Sequence, residues 1–236
     1  MVFGVLVVLL IALAPAVLAD AGKIVVVASG LNNPRGLDFG PSGLLYVAEA
    51  GTGGATCVDA GPEGRACFGL TGSLTTVDLR RTLQERIVTG LPSVAAPDGS
   101  AAIGPVDVSL FNEGQVNFIV GMGGTPAQAV AGFGPAAAGL GQLMLGRRYQ
   151  GFRSIADVGS YEVKANPDGH QPPDSNPYSV LAVPDKQIVA DAGGRLRSWQ
   201  RGARWRLRVH WPPGGTPRST CSHAPRSAKS STCADS

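Results

Sequence analysis

Leu31-Asn32-Asn33-Pro34-Arg35-Gly36-Leu37-Asp38-Phe39, the turn Pro41-Ser42-Gly43, and Leu44-Leu45-Tyr46-Val47-Ala48-Glu49-Ala50-Gly51 form the stretch on which the fold turns. In physical terms it is a hairpin. Proline halts the incoming chain and an apolar-rich run follows. A Pro/Ser/Gly turn reverses the direction, and a second run ends at small residues. The pattern returns at Ser175-Asn176-Pro177-Tyr178-Ser179-Val180-Leu181-Ala182-Val183, with a turn at Pro184-Asp185-Lys186 and a second run Gln187-Ile188-Val189-Ala190-Asp191-Ala192-Gly193. A looser copy runs from Gly104-Pro105-Val106-Asp107 through Asn112-Glu113-Gly114 to Val120. The leading prolines Pro34, Pro105 and Pro177 stand 71 and then 72 residues apart.

Between the first two copies, Ser73 to Leu79 alternates apolar and polar residues, and Arg86-Ile87-Val88-Thr89 follows. The matching pair after the second copy is Gln142 to Leu145 and Phe152 to Val158. Four strands per unit, repeated at a fixed interval, predict an all-β chain built as a β-propeller. A blade needs about 40–50 residues. The excess here is assigned to insertions at Thr52 to Gly72 and Gly121 to Gly141, the second read as an Ala/Gly loop with one helical turn. A β-sandwich or another stacked β-repeat is the architectural alternative, and it accounts less well for the spacing.

The chain has 236 residues, 44% hydrophobic and 16% charged, which excludes a disordered chain. Its 33 glycines and 18 prolines lie between short apolar runs, as tight turns between short strands require. Aromatic residues make up only 6%, too few for a base-stacking surface, so no nucleic-acid partner is expected. The formal charge of +3 joins two unlike parts. Through Gly194 there are 11 basic and 16 acidic residues, net −5; from Arg195 there are 9 basic and 1 acidic, net +8.

Val5 to Leu13 is an apolar run without charge, followed by Ala14-Pro15-Ala16 and Val17-Leu18-Ala19 before Asp20. This reads as a secretory signal peptide over residues 1–19, too short for a membrane span and without the basic n-region usual in such leaders. A buried N-terminal strand or helix is the alternative. Export implies a secreted protein, extracellular or periplasmic, with no transmembrane segment after cleavage. In that compartment Cys57 and Cys67, closing a Gly/Pro/Asp-rich loop, are expected to form a disulfide worth about 2–3 kcal/mol.

Chemistry is sparse. No G-x-S-x-G elbow or H-E-x-x-H spacing occurs, and His170 is a lone loop histidine. Glu49 and Asp191 occupy the same point of copies one and three, where the middle copy has Gly121-Met122-Gly123. Carboxylates repeated in this way can converge on a divalent cation, the one cofactor the pattern admits. The competing reading is that each satisfies backbone N–H groups of its own turn. Asp38, Asp98 and Asp107 are weaker ligand-binding candidates of the same kind, and Arg35 and Asn176 are read as holding the loops beside the repeat prolines.

Gly30-Leu31-Asn32-Asn33-Pro34-Arg35-Gly36-Leu37, Tyr46-Val47-Ala48-Glu49-Ala50-Gly51, Gly69-Leu70-Thr71-Gly72-Ser73, Pro97-Asp98-Gly99-Ser100 and Asp174-Ser175-Asn176-Pro177-Tyr178 together resemble the ScyD/ScyE family. The resemblance covers Lys23 to Gly194 and implies an exported bacterial protein with an NHL-like propeller of six blades, here about two to three. No reaction comes with it. It stops after Asp191-Ala192-Gly193-Gly194, where arginines, all three tryptophans and a Pro/Ser/Thr/Cys tail begin. The expectation is a partial propeller over 20–194 and a disordered, out-of-frame tail over 195–236; a genuine basic tail that binds anionic polymers is the rival.

Three functional readings follow. The first is a non-catalytic exported propeller that binds a small molecule or an envelope partner. The second is a metal-dependent, lactonase-like hydrolase of the propeller class. The third is a non-functional fragment.

Overall fold

A computed structural model of the chain describes residues 24–112, 114–193, 197–200 and 206–207. The leader reading over 1–19 and most of the 195–236 tail lie outside the described residues.

Each of the three copies is an antiparallel hairpin. The first pairs β1 (Pro34–Phe39) with β2 (Leu45–Glu49). Further along the first unit lie β3 (Thr56–Asp59), β4 (Arg65–Asp78) and β5 (Leu83–Ala95). The second hairpin is β6 (Pro105–Asn112) with β7 (Gln115–Val120), followed by β8 (Gln142–Arg147) and β9 (Gly151–Asp157). The third is β10 (Pro177–Val183) with β11 (Lys186–Asp191). Each hairpin starts at its proline, whose missing N–H costs nothing at the first position of a strand. The prolines pair with Glu49, Val120 and Asp191. In all three the register then slips, one extra residue entering the first strand directly after the proline. A shared bulge at a shared place marks these hairpins as structural repeats.

The sheets run β1-β2-β4-β5, with β3 added beside the first half of β4, then β6-β7-β8-β9, then β10-β11 continued by two short strands. All pairings are antiparallel, and no sheet closes on itself among the described residues. The fold is therefore all-β in its framework, as the sequence implies, with two short helices added.

The sheets pack in chain order, β1 beside β6 and β6 beside β10. β7 shows why. Its side chains alternate across the sheet: Val116, Phe118 and Val120 join Tyr46, Phe68 and Leu74 of the first sheet in one core, whereas Ile119 joins Val180 and Val189 of the third in another. A strand buried on both faces belongs to a sheet covered on both sides. The outer face of the first sheet, Leu45, Val47 and Val77, is covered by Ala28 and Leu31 of the chain that leads into β1.

Three expectations need correction. The first insertion is no separate loop: β3 pairs with Arg65 to Phe68, so β4 begins at Arg65 instead of Ser73. Cys57 and Cys67 face each other in that pairing and are joined by a disulfide. The second insertion holds the helix α1 (Pro126–Phe133) rather than a single turn. Thr125 caps it, with Pro126 in its first turn and Gln128 completing a capping box. Phe133 then stacks on Phe68 at 5.7 Å, tying the two insertions together. The strand expected over Phe152 to Val158 ends at Asp157, and an unexpected further helix, α2 (Val158–Ala165), follows it directly, capped by Asp157 through the Ser160 N–H at 2.8 Å.

No strand was expected beyond Arg195. Arg197–Gln200 nevertheless forms β12, antiparallel to β11, and Arg206–Leu207 forms β13 on β12. The open edge of β11 offers a row of backbone donors and acceptors, and any extended chain can pair with it without a side-chain pattern.

Among the described residues no helix is long and apolar enough to cross a membrane. The disulfide spans a short loop already held by β3 and β4. Replacing Cys57 and Cys67 by serine should cost about 2 kcal/mol in urea unfolding, most of it through a freer unfolded chain. Faster amide exchange should be confined to β3 and the first half of β4.

Candidate functional site

Glu49 ends β2 at the edge of the first hairpin and is completely buried. Four donors surround its carboxylate. Oε1 accepts from the Thr75 hydroxyl and from Arg86 Nε at 3.1 Å. Oε2 accepts from the Asn32 N–H at 2.5 Å and from Arg86 Nη2 at 2.8 Å. Thr75 sits on β4 and Arg86 on β5, so one carboxylate ties the chain before β1 to three strands. A carboxylate has about four lone-pair sites, and all are used. Burial pushes the pKa of Glu49 upward. The hydrogen bonds from Arg86, Thr75 and Asn32, with the charge of Arg86, outweigh it and hold the group below its ordinary value. The same contact raises the pKa of Arg86.

Asp191 is the counterpart at the end of β11, and its surroundings differ. Oδ1 accepts from the Asn176 N–H at 2.7 Å and the Gly193 N–H at 3.0 Å; Oδ2 accepts from the Ser175 hydroxyl at 2.8 Å. Among the described residues no cation faces it, and burial outweighs these hydrogen bonds and raises its pKa. Both acids hold the chain before their repeat proline, through Asn32 in one copy and Asn176 in the other. The same strand ends are joined again by backbone bonds, Ala50 N–H to Asn33 C=O and Ala192 N–H to Asn176 C=O. Only Asp191 accepts from a backbone N–H of its own turn, that of Gly193; the other backbone N–H groups, Asn32 and Asn176, belong to the chain before the repeat proline, and Glu49 otherwise takes side-chain donors.

A group buried with a raised pKa favours folding below its unfolded value, 3.8 for Asp191, and that contribution is lost as pH rises through the folded value. Asp191→Asn keeps the acceptor for Asn176 and Gly193 and can donate to Ser175 Oγ. At pH 7 this variant should be as stable as the parent or more stable, within about 1 kcal/mol. The difference should shrink when urea unfolding is repeated below pH 4.

Asp38 and Asp107 join sheets. Asp38, near the end of β1, accepts from its neighbour Phe39 N–H and, across the gap, from the Leu110 N–H of β6 at 2.8 Å. Asp107 of β6 accepts from the Val108 N–H at 2.9 Å and from two groups of β10, the Ser179 hydroxyl at 2.6 Å and the Val180 N–H at 2.8 Å. Ser109 takes the Ala182 N–H at 3.0 Å. Each link spans 72 or 73 residues. The first strand of a sheet has a bare edge, and side chains of the preceding sheet cover its N–H groups. Asp98 stays apart: in its exposed turn it accepts from the N–H and hydroxyl of Ser100, and these bonds lower its pKa. Arg35 donates to the Ala102 carbonyl at 2.8 Å, holding the loop before β6.

The five candidate acids are therefore spread over two hairpin ends, two sheet joints and one surface turn. Among the described residues no group of three or more His, Cys, Asp or Glu is placed to hold a metal ion. The saturated carboxylate of Glu49 does not fit a cation ligand.

Concave space lies instead at the opposite end of the hairpins, by the β6–β7 and β10–β11 turns. One cleft, lined by Phe111, Gln115, Asn117, Asp185 and Gln187 among others, opens between the second and third sheets. A second lies over the β8–β9 turn, with Arg147, Phe152 and Arg153 in its wall. Sequence reading did not find Arg86, Ser109 or Asn117. Each acts on a partner in another strand or sheet, and none carries a local motif. No family profile, no curated protein and no solved structure matches the chain.

Proposed function

We propose that the chain is an exported β-propeller repeat protein of the ScyD/ScyE type that binds a small molecule or an envelope partner without catalysing a reaction. The observation that carries this reading is the repeated joint between sheets. Asp38 to Leu110 and Ser109 to Ala182 are the same contact one repeat apart. A contact that recurs at each step is how neighbouring wedges of a ring would be fastened. The disulfide and the apolar leader support export. Two observations favour binding over catalysis. The repeated carboxylates are consumed by structural hydrogen bonds, and the described residues lining the cleft between the second and third sheets include amides but no paired nucleophile and base.

The lactonase-like alternative needs Glu49 and Asp191 on a shared cation, and the two acids hold separate loops instead. Calcium titration by calorimetry together with a lactone-hydrolysis assay tests the choice. No stoichiometric calcium binding and no turnover are expected. Hydrolysis by the parent chain that disappears in Asp191→Asn, a variant expected to fold, would overturn the non-catalytic reading. A crystal structure would test the ring: strands β1, β6 and β10 must stand around one axis.

A further inference from the structure

We propose that the cleft between the second and third sheets binds a neutral saccharide, with the Asn117 carboxamide at its floor. This inference rests on the ligand-binding reading above and gives it a chemical class.

The cleft holds about 440 Å³, in the range of small-molecule sites. Asn117 lies on β7 between Val116 and Phe118, on the face shared with Ile119, which packs against the third sheet. It is 1% exposed. Its Nδ2 donates to the Ser109 carbonyl at 3.3 Å. That bond fixes which end of the amide is which, because a carbonyl can only accept. The remaining atom, Oδ1, is buried and has no partner. An unsatisfied buried acceptor costs about 1–3 kcal/mol, and an apolar residue there would avoid the cost. Asn117 lines the cleft, and its unpaired amide oxygen leaves there an acceptor that a ligand's donor would satisfy.

The rest of the wall says what kind of donor. Gln115 and Gln187 present amides, which donate and accept in one plane. Asp185 adds a carboxylate at the β10–β11 turn, in the left-handed region at φ 66°. Sugar hydroxyls donate and accept in the same way, and neighbouring hydroxyls match an amide or carboxylate in pairs. Phe111, 45% exposed, supplies an apolar ring face for the C–H side of a pyranose. Among the described residues lining the cleft none is basic, and so none of them compensates an anionic ligand. The arginines stand in the neighbouring cleft, with Arg147 and Arg153.

Saturation-transfer NMR on the full chain tests this with glucose, N-acetylglucosamine, cellobiose and chitobiose as separate probes, and inorganic phosphate as the anionic one. At least one sugar should show saturable transfer. Gln187→Ala, at a half-buried position, should weaken it about tenfold or more, and Arg153→Ala should leave it unchanged. Absence of transfer from all four sugars overturns the proposal, as does sugar binding indifferent to Gln187→Ala. Phosphate binding lost in Arg153→Ala, without sugar binding, also overturns it yet leaves the ligand-binding reading standing. Turnover of a lactone would instead sink that reading while leaving the cleft's chemistry to be judged by the sugars.

Discussion

Glu49→Gln is expected to destabilise the chain by about 3 kcal/mol at pH 7, and the loss should fade in acid. Glutamine keeps an oxygen for the Asn32 N–H but turns an amide toward Arg86, whose guanidinium then loses a bidentate partner. Breaking a buried ion pair from one side costs about 3–5 kcal/mol. The figure is set at the low end because Arg86 is 36% exposed and still reaches the Gly30 carbonyl. The sign of the pH effect follows from the lowered pKa. The contribution is complete above the unfolded value of 4.5 and disappears as pH falls through the folded value. Urea unfolding of parent and variant at pH 7 and near pH 3 measures both quantities. A loss of equal size at the two pH values would show that the charge of Glu49 is not what holds the joint. Asp191→Asn should behave in the opposite sense, though the two residues occupy equivalent places. The difference is one cation: the first sheet supplies Arg86 from β5, and among the described residues of the third none faces Asp191.

That contrast shows where sequence reading stops. Proline at a fixed interval, a turn, and two apolar runs located all six hairpin strands, because hairpin pairing is local and its turn chemistry is written in adjacent residues. The strands at Ser73 to Leu79, Arg86 to Thr89, Gln142 to Leu145 and Phe152 to Val158 were legible for the same reason. Their ends were not: β4 starts earlier, since Cys67 and Phe68 find partners in β3. The helix α1 did carry its signal, in Thr125-Pro126-Ala127-Gln128, masked by the Ala/Gly composition that follows. For Glu49 and Asp191 the repeat gave the place but not the neighbours. Arg86 lies 37 residues from Glu49, and Ser109 lies 73 from Ala182. Asn117 reads as one polar residue in an apolar strand, and only the packing of the third sheet makes it the floor of a cleft.

Asp107→Ala should cost about 3 kcal/mol, comparable to the loss at Glu49, and should open the joint between the second and third sheets. Asp107 serves three donors at once. Removing it leaves the Val180 N–H on the bare edge of β10 without an acceptor, and the Ser179 hydroxyl as well. An unpaired buried donor costs about 1–3 kcal/mol, more where the lost acceptor was charged. Gly36 adds a geometric argument. A Cβ built on it would lie 2.0 Å from Asp107 Oδ1 and 2.8 Å from Asp107 Cα. The first sheet thus leaves room for the side chain that fastens the second sheet to the third. Gly36→Ala should then weaken the joint too, by pushing Asp107 off its partners. The two substitutions should not add: residues in contact couple by about 0.5–3 kcal/mol, and the double variant should be less damaged than the sum of the singles. Native-state hydrogen exchange gives the local readout. The Val180 amide should lose protection in Asp107→Ala, while Ala182, held by Ser109, should fall only as far as global stability falls. If Val180 exchanges as slowly in the variant as in the parent, the N–H on that edge has another acceptor, and the carboxylate does not fasten the sheets.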